Sequence, residues 1–409
     1  MLNKPRMVFK GFTALIICLF LAGCWDRTEL NKIGITSATA IDWDQDHWTV
    51  SYQLVIPQSI SSQNAGGGSN RQAPVMVFST TGDSIQSANQ HASLEMPRSL
   101  FFAHNRVVII GEEAARKGIV QMLDIYLRSS SARETVSVFV TRETGRKILE
   151  QLVPMEKIPG SSLQNMLLNE DKQGSSLKQV MIYQLAMGMG GDSGYTAIPE
   201  VFIAGKEGKS TSIDAMKSTV FDSKLKMGRL GIFKKDKLIG WMSNQEAYGI
   251  NWITNHVNQS LLIFGCTPGD KQRQAAVRVY QAKTHLTPVR INGGWVMKAD
   301  VRASSQLIEN GCGIDVTKPE GIHAMEKLIN QEMDSIMQTA LQKAKDMKAD
   351  VLDFGGHIHR KDPKYWKQFS GDWDNQFAQI PMETSIQINI KRLGMSTKPF
   401  VNLINGKDE

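Results

Sequence analysis

Cysteine is scarce in this chain, with four in 409 residues. That excludes a dense disulfide scaffold and any multi-cysteine zinc ribbon. No apolar run approaches the about 20 residues a membrane-crossing helix needs. The mean hydropathy of −0.25 excludes a polytopic membrane protein. A dominant charge sign is also lacking: 47 basic residues stand against 40 acidic ones, a formal +7. Lys4, Arg6 and Lys10 lie in a stretch that reads as removable, and without them 44 basic residues face 40 acidic ones. An excess of that size, dispersed along the chain, gives no nucleic-acid footprint. What is present is 41% hydrophobic and 21% charged residues, the balance of a packed, water-soluble body. The length implies two or three domains.

The first residues read as an address. Lys4, Arg6 and Lys10 make a positive segment, and 12–22 is apolar except for Thr13. About eleven residues at 1.5 Å each span only about half of a roughly 30 Å hydrocarbon core, so this is a signal-peptide h-region. It ends in Leu21-Ala22-Gly23-Cys24. A cysteine directly after Leu-Ala-Gly resembles the lipobox of bacterial lipoproteins. The resemblance implies that 1–23 is a lipoprotein signal peptide, and that Cys24 carries S-diacylglycerol and an N-acyl chain. Two or three acyl chains at ~0.8 kcal/mol per buried CH₂ hold a protein at a bilayer durably. Cys18 leaves with the signal. For Cys266 and Cys312 two readings stay open: separate buried thiols, or a disulfide closing a loop of about 45 residues, worth about 3–4 kcal/mol.

The body alternates strand and helix signals. Strands are expected at 49–56, 75–80, 106–110 and 135–140, and helices after Asp83 and from Glu112, so 30–150 reads as interleaved α/β. A Ser/Gly-rich loop covers 59–73. A helix is expected at 177–187, stopped by Gly188. A hairpin is expected over 227–241, turning at Lys235-Asp236-Lys237, followed by a short helix at 246–257. Strands at 275–282, 288–291 and 295–303 flank the turn signal Asn292-Gly293-Gly294. Pro319 opens a long helix, 318–349, with apolar residues every three or four positions. A final strand at 385–391 points Ile386, Ile388 and Ile390 inward. The expected class is mixed α/β and α+β, three domains each built as a sheet with packed helices: 24–195, 196–270 and 271–400.

Several blocks together are similar to the Ger(x)C family of spore germination lipoproteins. The first is Cys24-Trp25-Asp26-Arg27-Thr28-Glu29-Leu30. The second is His104-Asn105-Arg106-Val107-Val108-Ile109-Ile110-Gly111-Glu112, with Ala114, Arg128 and Arg133. The third is 231–240 followed by Glu246. The fourth is Asp353-Phe354-Gly355 with Pro363, Trp366, Trp373, Phe377, Arg392 and Gly394. Each is short, and their order behind a lipobox is what is specific. The resemblance implies the C subunit of a nutrient germinant receptor, lipid-anchored to the outer face of the cytoplasmic (spore inner) membrane. It implies integral-membrane A and B subunits as partners, no catalytic residues, no cofactor and no metal.

Other constellations carry chemistry of their own. Gly191-Asp192-Ser193-Gly194 is similar to the nucleophile tetrapeptide of trypsin-like proteases, but His91 and His104 upstream lack a protease context. His357 and His359 with Asp353 and Asp362 have zinc-ligand chemistry if 357–359 is a strand; a polar loop pinned by Trp366 and Trp373 is the plainer reading. Gly188-Met189-Gly190-Gly191 lacks the Lys and Ser/Thr of a P-loop. The alternating charges of 318–350 read as a solvated helix face. The alternative function is an extracytoplasmic solute-binding lipoprotein, which needs a cleft between two like lobes.

Overall fold

The computed structural model describes residues 29–61, 72–206, 210–267, 269–270 and 272–394. The chain runs through β1 (Ile33–Asp44), β2 (His47–Val55), α1 (Pro57–Ser61), β3 (Val75–Gly82), α2 (Ile85–Glu95), β4 (Ser99–Phe101) and β5 (Val107–Gly111). It continues with α3 (Glu112–Lys117), α4 (Val120–Arg128), β6 (Ser137–Thr141), α5 (Gly145–Glu150), α6 (Pro159–Gln173) and α7 (Ile182–Met189). Next come β7 (Tyr195–Gly205), β8 (Ser223–Lys234), β9 (Lys237–Met242), α8 (Asn244–Ile253) and β10 (Gln259–Gly265). The last part comprises β11 (Gln274–Ile291), β12 (Gly294–Asn310), α9 (Pro319–Asp346), α10 (Phe354–Lys361), α11 (Pro363–Phe369), α12 (Trp373–Gln379) and β13 (Met382–Arg392). The class is mixed α/β, and the long helix of the last third is present.

Two sheets organise the described residues. The larger has the order β3-β2-β1-β5-β6-β7-β8-β9, with β4 alongside β1; the smaller is β10-β11-β12-β13. β5 is buried along its whole length between β1 and β6, both parallel to it. That double-sided burial is why Val107–Ile110 is a continuous apolar run. β1, the neighbouring central strand, looks quite different: Thr36, Ser37 and Thr39 are buried in it. The setting of Ser37 and Thr39 is polar. Ser37 Oγ lies 2.9 Å from Gln53 Oε1, and Thr39 Oγ1 lies 2.9 Å from the Tyr126 hydroxyl.

Among the described residues of 196–270 no third sheet forms, contrary to the sequence expectation. β7 extends the first sheet through Val140 opposite Glu200, β8 and β9 follow it, and β10 joins the second sheet. Strand pairing needs only a partner edge, and β6 offers one. α6 occupies a stretch for which the sequence signals gave no element. The helix expected at 177–187 begins later, at Ile182, after Met181 bridges to Ser137.

The second sheet is dominated by a long hairpin. Asn292 (φ 51°) and Gly293 (φ 84°) make the two left-handed residues of its turn. β11 is one 18-residue strand with a register shift between Tyr280 and Lys283, not two short strands. α9 lies on this sheet with Met325, Ile329, Met333, Ile336, Met337 and Ala340 buried. Its charged face is not wholly solvated. Asn330 Oδ1 accepts from Ile388 N at 3.0 Å, Glu326 Oε1 accepts from Ile390 N at 2.8 Å, and Asp334 Oδ1 accepts from Thr384 Oγ1 at 2.6 Å. These residues, four apart on the helix, satisfy donors of edge strand β13.

Candidate functional site: the seam between the two sheets

The segment from Ala349 to Gln379 is where the second sheet's helices meet the first sheet's strands. Its centre is Asp350, only 1% exposed. The carboxylate accepts from Phe354 N at 2.9 Å, Gly355 N at 2.7 Å and Trp373 Nε1 at 2.9 Å. Burial pushes its pKa up to about 6, against the opposing pull of those three donors. Phe354 is buried and packs edge-on against Phe377 at 5.6 Å. Gly355 lies beneath two indoles; a Cβ there would meet Trp366 Cη2 at 2.8 Å and Trp373 Cε2 at 3.0 Å. Trp366 and Trp373 are both buried, 4.9 Å apart and T-shaped.

The seam is tied across by polar contacts. His359 Nδ1 and Asp192 Oδ2 are 2.8 Å apart, and the His359 ring stacks on Trp366. The Tyr195 hydroxyl donates to Asp374 Oδ1 at 2.7 Å, and Lys234 Nζ pairs with the other oxygen of that carboxylate. Burial and the Asp374 charge raise the Tyr195 pKa, so it stays a donor. Beside these ties opens a cleft of about 540 Å³, into which Lys178, His256, His285, Asp353 and His357 project among apolar residues. Lys178 Nζ and His256 Nε2 are 2.6 Å apart. Burial lowers the pKa of both groups, and for His256 the Lys178 charge adds to it. The His256 imidazole, its pKa lowered to about 4, is therefore neutral beside Lys178 at neutral pH.

The residues singled out from sequence fall as follows. His357 and His359 sit on helix α10, not on a strand or in a loop, so a two-residue spacing turns them to different faces. His357 lines the cleft and His359 reaches Asp192. Asp353 pairs with Arg360 at 3.2 Å, and Asp362 caps α11 by accepting from Tyr365 N at 3.0 Å. Among the described residues no three His, Cys, Asp or Glu groups converge as a metal site. Ser193 Oγ accepts from Tyr195 N at 3.5 Å. His91 Nδ1 bonds Thr81 O, and the His104 ring packs on Phe101, so neither histidine is set against Ser193. Gly188-Met189-Gly190-Gly191 ends α7. Cys266 and Cys312 are joined as a disulfide, Cα atoms 5.2 Å apart. Cys24 lies outside the described residues. The described helices include none long and apolar enough to cross a membrane.

The short blocks that carry the family resemblance are mostly structural devices. Asn105 Nδ2 donates to Thr39 Oγ1 at 3.1 Å and to the Tyr126 hydroxyl at 2.8 Å. Glu246 completes a capping box with Ser243 at the start of α8. Arg392 lies over the Tyr280 ring, 5.7 Å from its centroid. Asp350, the seam's centre, was missed from sequence. Its signal is an acid four residues before Phe354, where it can cap α10.

Comparison with known proteins gives a consistent picture. Residues 26–203 match the family described as spore germination protein N-terminal domain, and 228–394 match the family described as spore germination B3/GerAC-like, C-terminal. Spore germination protein KC of Bacillus subtilis (strain 168) is 26% identical over 402 residues, covering 96% of this chain and 98% of that protein. Spore germination protein B3 of the same organism is 24% identical over 394 residues, covering 94% and 98%. The crystal structure of the GerBC protein matches with a TM-score of 0.54 at 20% identity, over 87% of this chain and 97% of that one, and supports the fold.

Proposed function

The chain belongs to the Ger(x)C family of spore germination proteins, and from that premise we propose that it is the non-enzymatic C subunit of a nutrient germinant receptor. In this reading acylated Cys24 holds the body on the outer face of the spore inner membrane. There it works beside integral-membrane A and B subunits to trigger germination. The observation that carries the reading is that the two family matches begin at residue 26, two positions after the lipobox cysteine, and end at 394.

The seam supports a scaffold role. Its polar groups are spent on each other: Asp350 on two backbone amides and an indole, Asp374 on Tyr195 and Lys234, His359 on Asp192. The Asp374 and His359 ties cross between the two sheets and hold them in one orientation, which a subunit presenting surfaces to membrane partners requires, while Asp350 fixes the segment that carries them.

The test is Cys24→Ala. Labelled palmitate is expected to enter the wild-type chain and not the variant. The variant is expected to leave the membrane fraction, and its spores to respond more weakly to nutrients. Retention in the membrane with an unchanged response would refute the reading.

A further inference from the structure

The tether proposed above constrains how the body sits. Four residues separate Cys24 from Glu29, the first described residue, and the five Cα-to-Cα steps between the two span at most about 18 Å. The chain then enters β1 at Ile33. The elements around that entry point follow from strand pairing. Ile33, Gly34 and Ile35 lie opposite Ser99, Leu100 and Phe101 of β4. Thr36 lies opposite Leu54, and Leu54 opposite Met76. Lys157 Nζ donates to Ile60 O at 2.8 Å, which brings the 154–158 segment to the same end of the sheet.

Three large apolar side chains are exposed on this rim. Met155 is 95% exposed, Leu94, just before β4, is 82% exposed, and Met76 is 44% exposed. Met155 and Leu94 head the exposed large apolar side chains of the described residues. Exposed Lys32, paired with Glu29 at 3.6 Å, Arg98 and Lys157 stand among them, with exposed Glu95 beside Leu94. Exposed apolar side chains beside long cations are suited to a bilayer interface: the apolar groups leave water while the charged heads stay at headgroup level.

We propose that this rim, bearing Met76, Leu94 and Met155, rests on the lipid surface and sets the orientation of the body above it. The inference rests on the Cys24 tether. A lone tether leaves a body free to tumble within its reach; a second, weaker contact beside the anchor removes that freedom.

The test uses the full acylated chain in proteoliposomes of zwitterionic lipid, with a bimane label on L94C, M155C or, as a control on the second sheet, I308C. With Cys24 acylated and Cys266 bonded to Cys312, the added thiol is the one free for labelling. Replacing part of the lipid by a brominated analogue is expected to quench the labels at 94 and 155 at least twofold more than the label at 308. If the protein co-sediments with the vesicles and the three sites quench alike, the orientation is overturned while the tether stands. Labels at 94 and 155 that are shielded from aqueous iodide yet untouched by brominated lipid would overturn it in favour of a protein partner. Failure to co-sediment would remove the tether, and the inference with it.

Discussion

Replacing Asp350 tests the seam most directly. Asp350→Ala leaves three donors, Phe354 N, Gly355 N and Trp373 Nε1, without their carboxylate. An orphaned buried donor costs about 1–3 kcal/mol, and water entering the new cavity recovers part of that. The expected loss is about 3–5 kcal/mol. Asp350→Asn keeps one acceptor oxygen and should lose about 1–3 kcal/mol. The two variants also separate hydrogen bonding from charge. The Asp350 pKa is raised from 3.8 to about 6, so between those values the folded state binds more proton than the unfolded one. Stability tied to this group is therefore full at low pH and falls as pH rises through that window. Integrated from pH 7 to pH 5, wild type should gain about 1 kcal/mol that Asp350→Asn does not. Urea unfolding followed by tryptophan fluorescence at both pH values measures the double difference. Parallel pH profiles for the two proteins, or a loss under about 1 kcal/mol in Asp350→Ala, would refute the account of the seam.

Other expectations follow from geometry. Cys266→Ser with Cys312→Ser should cost about 4 kcal/mol in the chain-entropy model for a loop with a sequence separation of 46, read as a lower midpoint in urea. Gly355→Ala should cost about 1–3 kcal/mol, because the Cβ meets the Trp366 ring at 2.8 Å; a red-shifted tryptophan emission would accompany it. Gly249→Ala pushes α8 off α9, since its Cβ would lie 2.5 Å from Ala340 Cβ and 2.7 Å from Ile336 O; a melting temperature equal to wild type would contradict that close approach.

The sequence by itself determined the elements whose signals are local. The long helix declared itself through Pro319 and an apolar residue every three or four positions. The turn at Asn292-Gly293 declared itself through two residues that tolerate positive φ, and β13 through alternating isoleucines. The lipobox and the blocks behind it pointed to the family without any fold. Tertiary structure decided the rest. β1 carries Thr36, Ser37 and Thr39 where apolar residues would have signalled a central strand; the Ser37 and Thr39 hydroxyls meet polar partners that lie 16 to 87 residues away. The described residues of 196–270 form no third sheet because β7 pairs with the edge of β6, and no local pattern reports which edge is free. Glu326 and Asp334 looked solvated until β13 came to lie beside them. Asp350 is an ordinary aspartate in the sequence; two backbone amides, one indole and the exclusion of water make it the centre of the seam. Periodicity and turn chemistry act over a few residues and can be read along the chain. Edge pairing and the burial of a polar group depend on what folds against them, and those partners exist only in three dimensions.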